Sequence, residues 1–204
     1  MLLKPLLLFI SIICVACTNK PAAAGKISIP DTIKATSVDN NPYKTIGNIP
    51  LPKGFFRLKR DKNSFANWLE NIPLKEDKTV FLYDGNIKQN QSAQFAVLNI
   101  SVDKKNLQQC ADAMMRLRAE YLFKQNKFDA INFRDNANTI YQFSPPYTRD
   151  HFDQYLNRVF GMCGSASLSK QLKNIAIKDI EPGDVFIRGG FPGHAVIVMD
   201  VAIN

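Results

Sequence analysis

The sequence predicts an α+β fold, and three observations point to it. One long segment repeats apolar residues at three- and four-residue steps, as an amphipathic helix does. Several short stretches are rich in β-branched and aromatic residues and are bounded by turn residues, as strands are. These segments do not alternate regularly as strand and helix, which argues against a parallel α/β sheet. We therefore expect an antiparallel sheet packed with helices.

The composition limits the classes of protein that the chain can belong to. Its 204 residues, 46% of them hydrophobic and 22% charged, are typical of one folded domain with a tail. Four cysteines are too few for a disulfide-rich miniprotein. The net charge is +8, but the bases are scattered, so we expect no nucleic-acid partner. Two distant histidines do not supply the three or four ligands of a zinc site, and we expect neither metal nor cofactor.

The N-terminus has the features of a bacterial lipoprotein signal. Lys4 precedes an apolar run at 6–15, which is too short to span a membrane but fits a secretion signal. The run ends in Cys14-Val15-Ala16-Cys17, which resembles the lipobox of bacterial lipoproteins. In that class the cysteine is acylated and becomes the new first residue. The resemblance implies lipidation of Cys17 and a location on a membrane of the cell envelope, at its periplasmic or cell-surface face. The segment is also compatible with an ordinary cleaved signal or an uncleaved anchor.

The rest of the chain divides into a tether and a domain. Residues 17–50 are rich in Ala, Pro, Thr, Asn and Lys and lack hydrophobic periodicity, which predicts a flexible tether. Residues 51–204 are predicted to form a single α+β domain. Removal of the signal at 1–16, which holds one base and no acid, leaves a mature charge of +7.

The first half of the domain is predicted to contain two helices. Ser64 is a suitable N-cap for the first, Phe65–Glu70. The second, 107–124, is the strongest pattern in the chain, and Asn106 with Gln109 resembles a capping box at its start. Its apolar stripe consists of Leu107, Cys110, Met114, Leu117 and Tyr121. The strand-like segments of this half are 54–58, 79–83 and 94–101.

The second half is predicted to open with a hairpin of strands 128–133 and 139–143. Asp150 is then a suitable cap for a helix of apolar and aromatic residues that ends near Phe160, and a further helix covers 165–173. The last two strands are predicted at 184–187 and 194–202.

A cysteine and a histidine near the C-terminus are candidates for nucleophile and base. Cys163 stands in a turn of small residues before helix 165–173, where the positive end of the helix dipole favours a thiolate. His194 follows a loop rich in Gly and Pro and opens the last strand, so it is the candidate base. Two other readings of Cys163 stay open, namely a small core residue and a disulfide with Cys110. His194 is equally compatible with a hydrogen-bonded core histidine.

The segment that contains His194 resembles a known peptidase family. Residues 182–184 (PGD), the strand after them, the glycine-rich loop and His194 are similar to the NlpC/P60 cysteine peptidases of bacterial cell walls, which have a papain-like fold. The resemblance implies a papain-like C-terminal part in which Cys163 attacks a peptide amide and His194 takes its proton. Met162 stands where that family has Asp, the two residues are only 31 positions apart, and the third catalytic residue would lie beyond Asn204.

A longer resemblance extends over most of the domain. It is carried by 65–69 (FANWL), 73–75 (PLK), 83–85 (YDG), 107–113 (LQQCADA), 116–121 (RLRAEY) and 192–196 (PGHAV). These motifs resemble the domain-of-unknown-function family 4846 of secreted and lipid-anchored bacterial proteins, which has no established activity. Members of that family continue past the histidine strand, so we expect this domain to be shortened at its C-terminus.

Two functions are therefore expected for an anchored envelope protein. The first is a cysteine hydrolase of amide bonds in peptidoglycan peptides, inactive in this chain as it stands because the third residue is missing. The alternative is a non-catalytic binding or scaffolding lipoprotein. A third reading is a surface protein of an outer membrane engaged in glycan or polymer uptake. The mature charge favours peptidoglycan or another anionic envelope polymer as a partner besides the membrane.

Overall fold

The structure is a computed structural model that describes residues 40–102 and 104–204, together with the backbone of Pro5–Leu6. The α+β class is confirmed, since helices and antiparallel strands both occur in this part of the chain. The helices are α1 (Phe65–Glu70), α2 (Cys110–Lys124), α3 (Arg149–Met162) and α4 (Ser165–Leu168). The strands are β1 (Pro5–Leu6), β2 (Phe56–Arg57), β3 (Asn132–Arg134), β4 (Ile140–Gln142), β5 (Val185–Arg188), β6 (His194–Ile197) and β7 (Ala202–Ile203).

The strands form small antiparallel sheets instead of the single sheet that the sequence predicts. β7 lies between β1 and β2, β3 pairs with β4, and β5 pairs with β6. The β5–β6 register places Val185 opposite Ile197 and Arg188 opposite His194. His194 therefore stands at the loop end of its hairpin.

Helix α2 lies at the centre of the core. It packs against α1, α3, α4 and β6, and its Met115 and Ala119 are completely covered. Next to it, the rings of Phe123 and Phe152 lie 4.4 Å apart between centroids, in a cluster of aromatic side chains from α2, α3 and the adjoining loops. Burial of large apolar side chains stabilises a fold by about 1.5–3 kcal/mol each, so this layer dominates the stability.

Three helix boundaries differ from the predicted ones, namely the starts of α2 and α3 and the end of α4. Gln108 has a φ of +65°, which a helix cannot contain, so α2 begins at Cys110 and Asp112 accepts a hydrogen bond from the Gln109 N–H at 3.0 Å. The cap of α3 is Thr148, not Asp150, since the Thr148 hydroxyl accepts from the His151 N–H at 3.3 Å. Helix α4 ends at Leu168, five residues before the predicted end at 173.

The predicted strand 194–202 is interrupted by a buried ion pair. Asp200 has no exposed surface, and its carboxylate lies 2.7 Å from the Arg57 guanidinium. The Val201 N–H also donates to this carboxylate at 2.9 Å, which turns the chain away from β6. The sequence around Asp200 does not indicate that its carboxylate is buried. One long strand was therefore predicted where β6 and β7 are separate.

The folded region begins before the predicted boundary at 51. Ile46 and Ile49 are buried in the main core, and Asn41 donates to the Lys75 carbonyl at 3.0 Å. The residues from 41 onwards are thus part of the domain, although their composition resembled that of a tether.

Replacement of Arg57 should test the buried ion pair. Arg57→Met leaves the Asp200 carboxylate buried without its cation, and we expect the free energy of unfolding to fall by about 3–5 kcal/mol in urea titration. Lys44→Met is the control, because the Lys44–Glu76 pair is 76% and 73% exposed and its loss should leave stability nearly unchanged. Equal effects of the two variants would contradict a stabilising role for the Arg57–Asp200 pair.

Candidate functional site

Cys163 lies at the junction of two helices. Its N–H donates to the Val159 carbonyl at 2.8 Å, so the residue caps the C-terminus of α3, and α4 begins two residues later. The side chain is only 6% exposed and belongs to the main hydrophobic core, with Phe160 and Leu168 as further members. These surroundings agree with the interpretation of Cys163 as a small core residue.

The thiol of Cys163 is not activated in this environment. Burial, followed by the carboxylates of Asp135 and Asp112, raises its pKa to about 11, because a thiolate is disfavoured by low polarity and by nearby negative charge. This rise is opposite in direction to the shift expected from a helix dipole. The helix that follows has only four residues, and its dipole is correspondingly small.

The loop before His194 is nevertheless docked beside this junction. The Ser165 hydroxyl donates to the Gly190 carbonyl at 3.3 Å. A Cβ atom on Gly193 would lie 1.8 Å from the Ser165 Oγ, and one on Gly189 would lie 2.3 Å from the Ser169 Oγ. The absence of a side chain at Gly189 and Gly193 therefore allows the loop to approach α4 closely.

The two candidate catalytic side chains differ in their surroundings. His194 is exposed, whereas Cys163 is buried. Throughout 40–102 and 104–204, no hydrogen bond joins the thiol to the imidazole. The structure thus brings the two chain segments together through Ser165 but does not form a thiol–imidazole hydrogen bond. The predicted alternative of a disulfide with Cys110 is wrong, since both cysteines are free thiols.

Cys17, the predicted acylation site, lies outside the described residues. The second histidine of the chain, His151, is half-buried, with its Nδ1 2.8 Å from the Pro146 carbonyl oxygen and its ring against Phe143. The described part of the chain holds no group of three or more His, Cys, Asp or Glu residues suited to a metal ion. Among these same residues, no helix has the length and apolar character required to cross a bilayer.

A cleft that the sequence did not predict lies on another side of α4. It has a volume of about 580 Å³ and lies between α2, β3, α4 and β5, with Phe65 and Met115 among its apolar lining. Three cations line it, namely Arg118 from α2, Arg134 from β3 and Lys170 just after α4. None of the three forms an ion pair with a described carboxylate. One acid, Asp135, also lines the cleft, which leaves an excess of positive charge.

The walls of this cleft are held by specific contacts. The Arg118 guanidinium lies 5.1 Å from the Phe65 ring centroid and 5.4 Å from that of Tyr121, which fixes it by cation–π attraction. The Gln171 side chain accepts from the Arg134 N–H and donates to the Arg134 carbonyl, both at 3.0 Å, and so joins β3 to the chain after α4. These contacts hold Arg118 and the Arg134 backbone in position.

Arg118 is exposed, and its guanidinium lies over aromatic rings instead of pairing with a described carboxylate. No sequence signal linked it to Arg134 and Lys170, because the three come from separate elements.

Comparison with known proteins identifies a family. The model of the domain of unknown function 4846 matches residues 46–145 and 135–204, which together cover most of the chain. No curated protein matches the chain, and no solved structure matches it either.

Alkylation of Cys163 should follow its raised pKa. A thiol with a pKa of about 11 is ionised to roughly one part in ten thousand at pH 7. The iodoacetamide rate, measured at this residue by mass spectrometry of its peptide, should therefore rise about tenfold per pH unit between pH 7 and 10, without a plateau. The half-buried Cys110 provides an internal comparison. A plateau below pH 8 would contradict the account of a covered, protonated thiol.

Proposed function

Since the chain belongs to the domain-of-unknown-function family 4846, we propose that it is a lipid-anchored protein of the bacterial cell envelope that binds an anionic polymer without catalysis. Acylation of Cys17 would supply the anchor, because acyl chains contribute about 0.8 kcal/mol per buried CH₂ to membrane binding. The accompanying removal of residues 1–16 would take β1 away and leave β7 paired with β2. The domain then stands at the periplasmic or cell-surface face of the membrane, where peptidoglycan is a carboxylate-bearing polymer within reach.

The cationic cleft is the observation that carries this proposal. Its volume of about 580 Å³ is that of a site for a small ligand or a short stretch of polymer. Arg118 and Arg134 offer guanidinium groups that pair with carboxylates through two parallel hydrogen bonds. Both lack an ion-pair partner within the described residues, so a ligand's carboxylate would meet cations that are not already neutralised.

The single acid of the cleft does not oppose this use. Asp135 accepts hydrogen bonds from the N–H groups of Ala137 and Thr139, at 2.8 and 2.9 Å, and from the Tyr141 hydroxyl at 3.2 Å. Burial acts to raise the pKa of Asp135, but the hydrogen bonds to Thr139 and its neighbours outweigh it and lower the pKa. The carboxylate is thus engaged in shaping the β3–β4 turn, and the guanidinium groups remain for a ligand.

The environment of Cys163 supports a non-catalytic role. A nucleophilic cysteine must supply thiolate, and the pKa of about 11 withholds it at neutral pH. The buried thiol packs in the core, where it contributes as a small apolar side chain.

Neutralisation of the cleft should weaken polymer binding. We expect the double variant Arg118→Gln/Arg134→Gln to bind purified peptidoglycan sacculi about tenfold or more weakly in a co-sedimentation assay, with a smaller dependence on salt. Arg158→Gln is a matched control, because Arg158 is also exposed and lies over an aromatic ring, 5.2 Å from the Tyr141 centroid, yet does not line the cleft. Unchanged binding by the double variant would refute the proposed site.

A second candidate function, a cysteine hydrolase with a papain-like C-terminal part, is favoured by one observation. The Ser165–Gly190 contact holds the His194 loop beside the turn that carries Cys163, as a nucleophile–base pair requires. A rearrangement that uncovers the thiol would then have to lower its pKa.

Peptidoglycan digestion separates the two functions. If the binding function is correct, the purified protein releases no soluble muropeptides, and Cys163→Ser behaves as the unaltered chain does. Release of fragments that is lost in both Cys163→Ser and His194→Ala, with folding verified by circular dichroism, would establish the hydrolase instead.

A further inference from the structure

A small hairpin at 80–88, here called the 80–88 hairpin, protrudes with apolar side chains. Phe81 and Ile87 form its bridge pair, and the Leu82 N–H donates to the Asn86 carbonyl at 2.7 Å. Gly85, with a φ of +86°, makes the turn at its tip. The Gln91 side chain holds its base, since its amide bonds both the N–H and the carbonyl of Val80. The hairpin therefore has a defined turn at Gly85 and is held at its base by the Gln91 side chain.

Four large apolar side chains of this hairpin are exposed, and they flank a charged carboxylate, Asp84, at its tip. Phe81 is 49% exposed, Ile87 is 61% exposed, and Leu82 and Tyr83 at the tip are exposed as well. Phe95, which lies nearby in the chain, is also exposed and stacks on Tyr43 at 6.0 Å between centroids. Clustered large apolar side chains on a surface mark a contact with a partner or a membrane.

The chain enters the domain at this same surface. The Asn41 N–H donates to the Glu76 carbonyl at 2.8 Å, and its side chain donates to the Lys75 carbonyl at 3.0 Å. Lys75 and Glu76 precede the hairpin by a few residues, and Tyr43 lies against Phe95. A chain anchored at Cys17 would therefore hold the domain by the side that carries the exposed apolar residues.

We propose that the 80–88 hairpin and Phe95 form a second membrane contact, which inserts into the boundary between headgroups and acyl chains of the bilayer that holds the anchor. This proposal rests on the proposed lipidation of Cys17. Aromatic side chains are enriched at this boundary, and lysines extend from it towards water. Lys78 lies at this surface, because its Nζ is 6.0 Å from the Phe95 ring centroid.

The anchor favours lipid over other occupants of this surface. The 22 residues 18–39 can span at most about 75 Å, so an anchored domain never leaves the vicinity of the bilayer. Such confinement raises the effective concentration of lipid at a tethered surface far above that of any soluble partner. A weak apolar contact, insufficient alone, thus becomes occupied once the chain is anchored.

Site-specific photocrosslinking in the full acylated chain tests the contact. We replace Ile87→p-benzoylphenylalanine in one variant and Ile140→p-benzoylphenylalanine in a matched control, since Ile140 is 52% exposed on β4, outside this surface. After irradiation of membranes isolated from a bacterial host, we expect phospholipid adducts at position 87 at least five times as abundant as at position 140. The adducts are identified by mass spectrometry.

Every other outcome overturns the proposal. Adducts with a second copy of the chain would assign the surface to a dimer, and adducts with another protein would assign it to a partner. Equal yields at the two positions would mean that the hairpin does not meet lipid.

Cell fractionation distinguishes the absence of a hairpin–lipid contact from the absence of the lipid anchor. If the unaltered chain sediments with membranes and Cys17→Ala does not, anchoring holds and only the hairpin contact is judged by the crosslinks. If both chains remain soluble, the proposed anchor fails, and the membrane contact fails with it.

Discussion

The structure depends on the burial of α2. This helix contacts α1, α3, α4 and β6, so most of its circumference is removed from water, and Met115 and Ala119 are completely covered. Small side chains such as Ala119 let neighbouring elements approach closely, and the larger Met114 and Leu117 fill the space between them. Because α3, α4 and β6 all rest on α2, it determines the relative positions of the Cys163 turn, the His194 hairpin and the cleft. Arg118, which projects from it, links the core directly to the candidate binding surface.

The environment of Cys163 shows how packing and reactivity compete at one position. A sulfur that fills a gap between α3 and α4 contributes to the core only while it is neutral and covered. A nucleophile requires the opposite, namely access and stabilisation of negative charge. In this structure the neighbouring carboxylates of Asp135 and Asp112 act together with burial to keep the proton on the thiol. The same order of Cys and His along the chain is therefore compatible with either a hydrolase or a binding protein, and the surroundings of the thiol favour the second.

Local sequence signals predicted those elements whose boundaries are set by hydrogen bonds between residues close in sequence. Helix α1 matches the predicted Phe65–Glu70, because the Ser64 hydroxyl accepts the Asn67 N–H as an N-cap does. The β3–β4 hairpin also follows its turn signal at Asp135, which accepts from the N–H groups of Ala137 and Thr139. The class of the fold followed from such patterns.

Features that depend on contacts distant in sequence were missed. The break after β6 exists because Asp200 meets Arg57, 143 positions earlier, and no pattern around Asp200 shows this. Ile46 and Ile49 were assigned to a tether because their neighbours are polar, yet the main core covers them. The cleft escaped prediction for the same reason, since Arg118, Arg134 and Lys170 converge only after the elements pack. Cys163 and His194 were identified as residues, but the burial of one and the exposure of the other are properties of the packed chain.

The attachment of the chain at Asn41 has a mechanical consequence. Tension applied to the polypeptide immediately before Asn40 reaches the domain at the Asn41 hydrogen bonds to Lys75 and Glu76. The next contacts along the chain are the Lys44–Leu74 hydrogen bond and the Thr45–Pro73 bridge. The force is therefore transmitted to residues 71–76, which follow α1. A drag force on an anchored molecule would strip these contacts in order and expose Ile46 before it disturbed α2. The N-terminal edge would then yield ahead of the core.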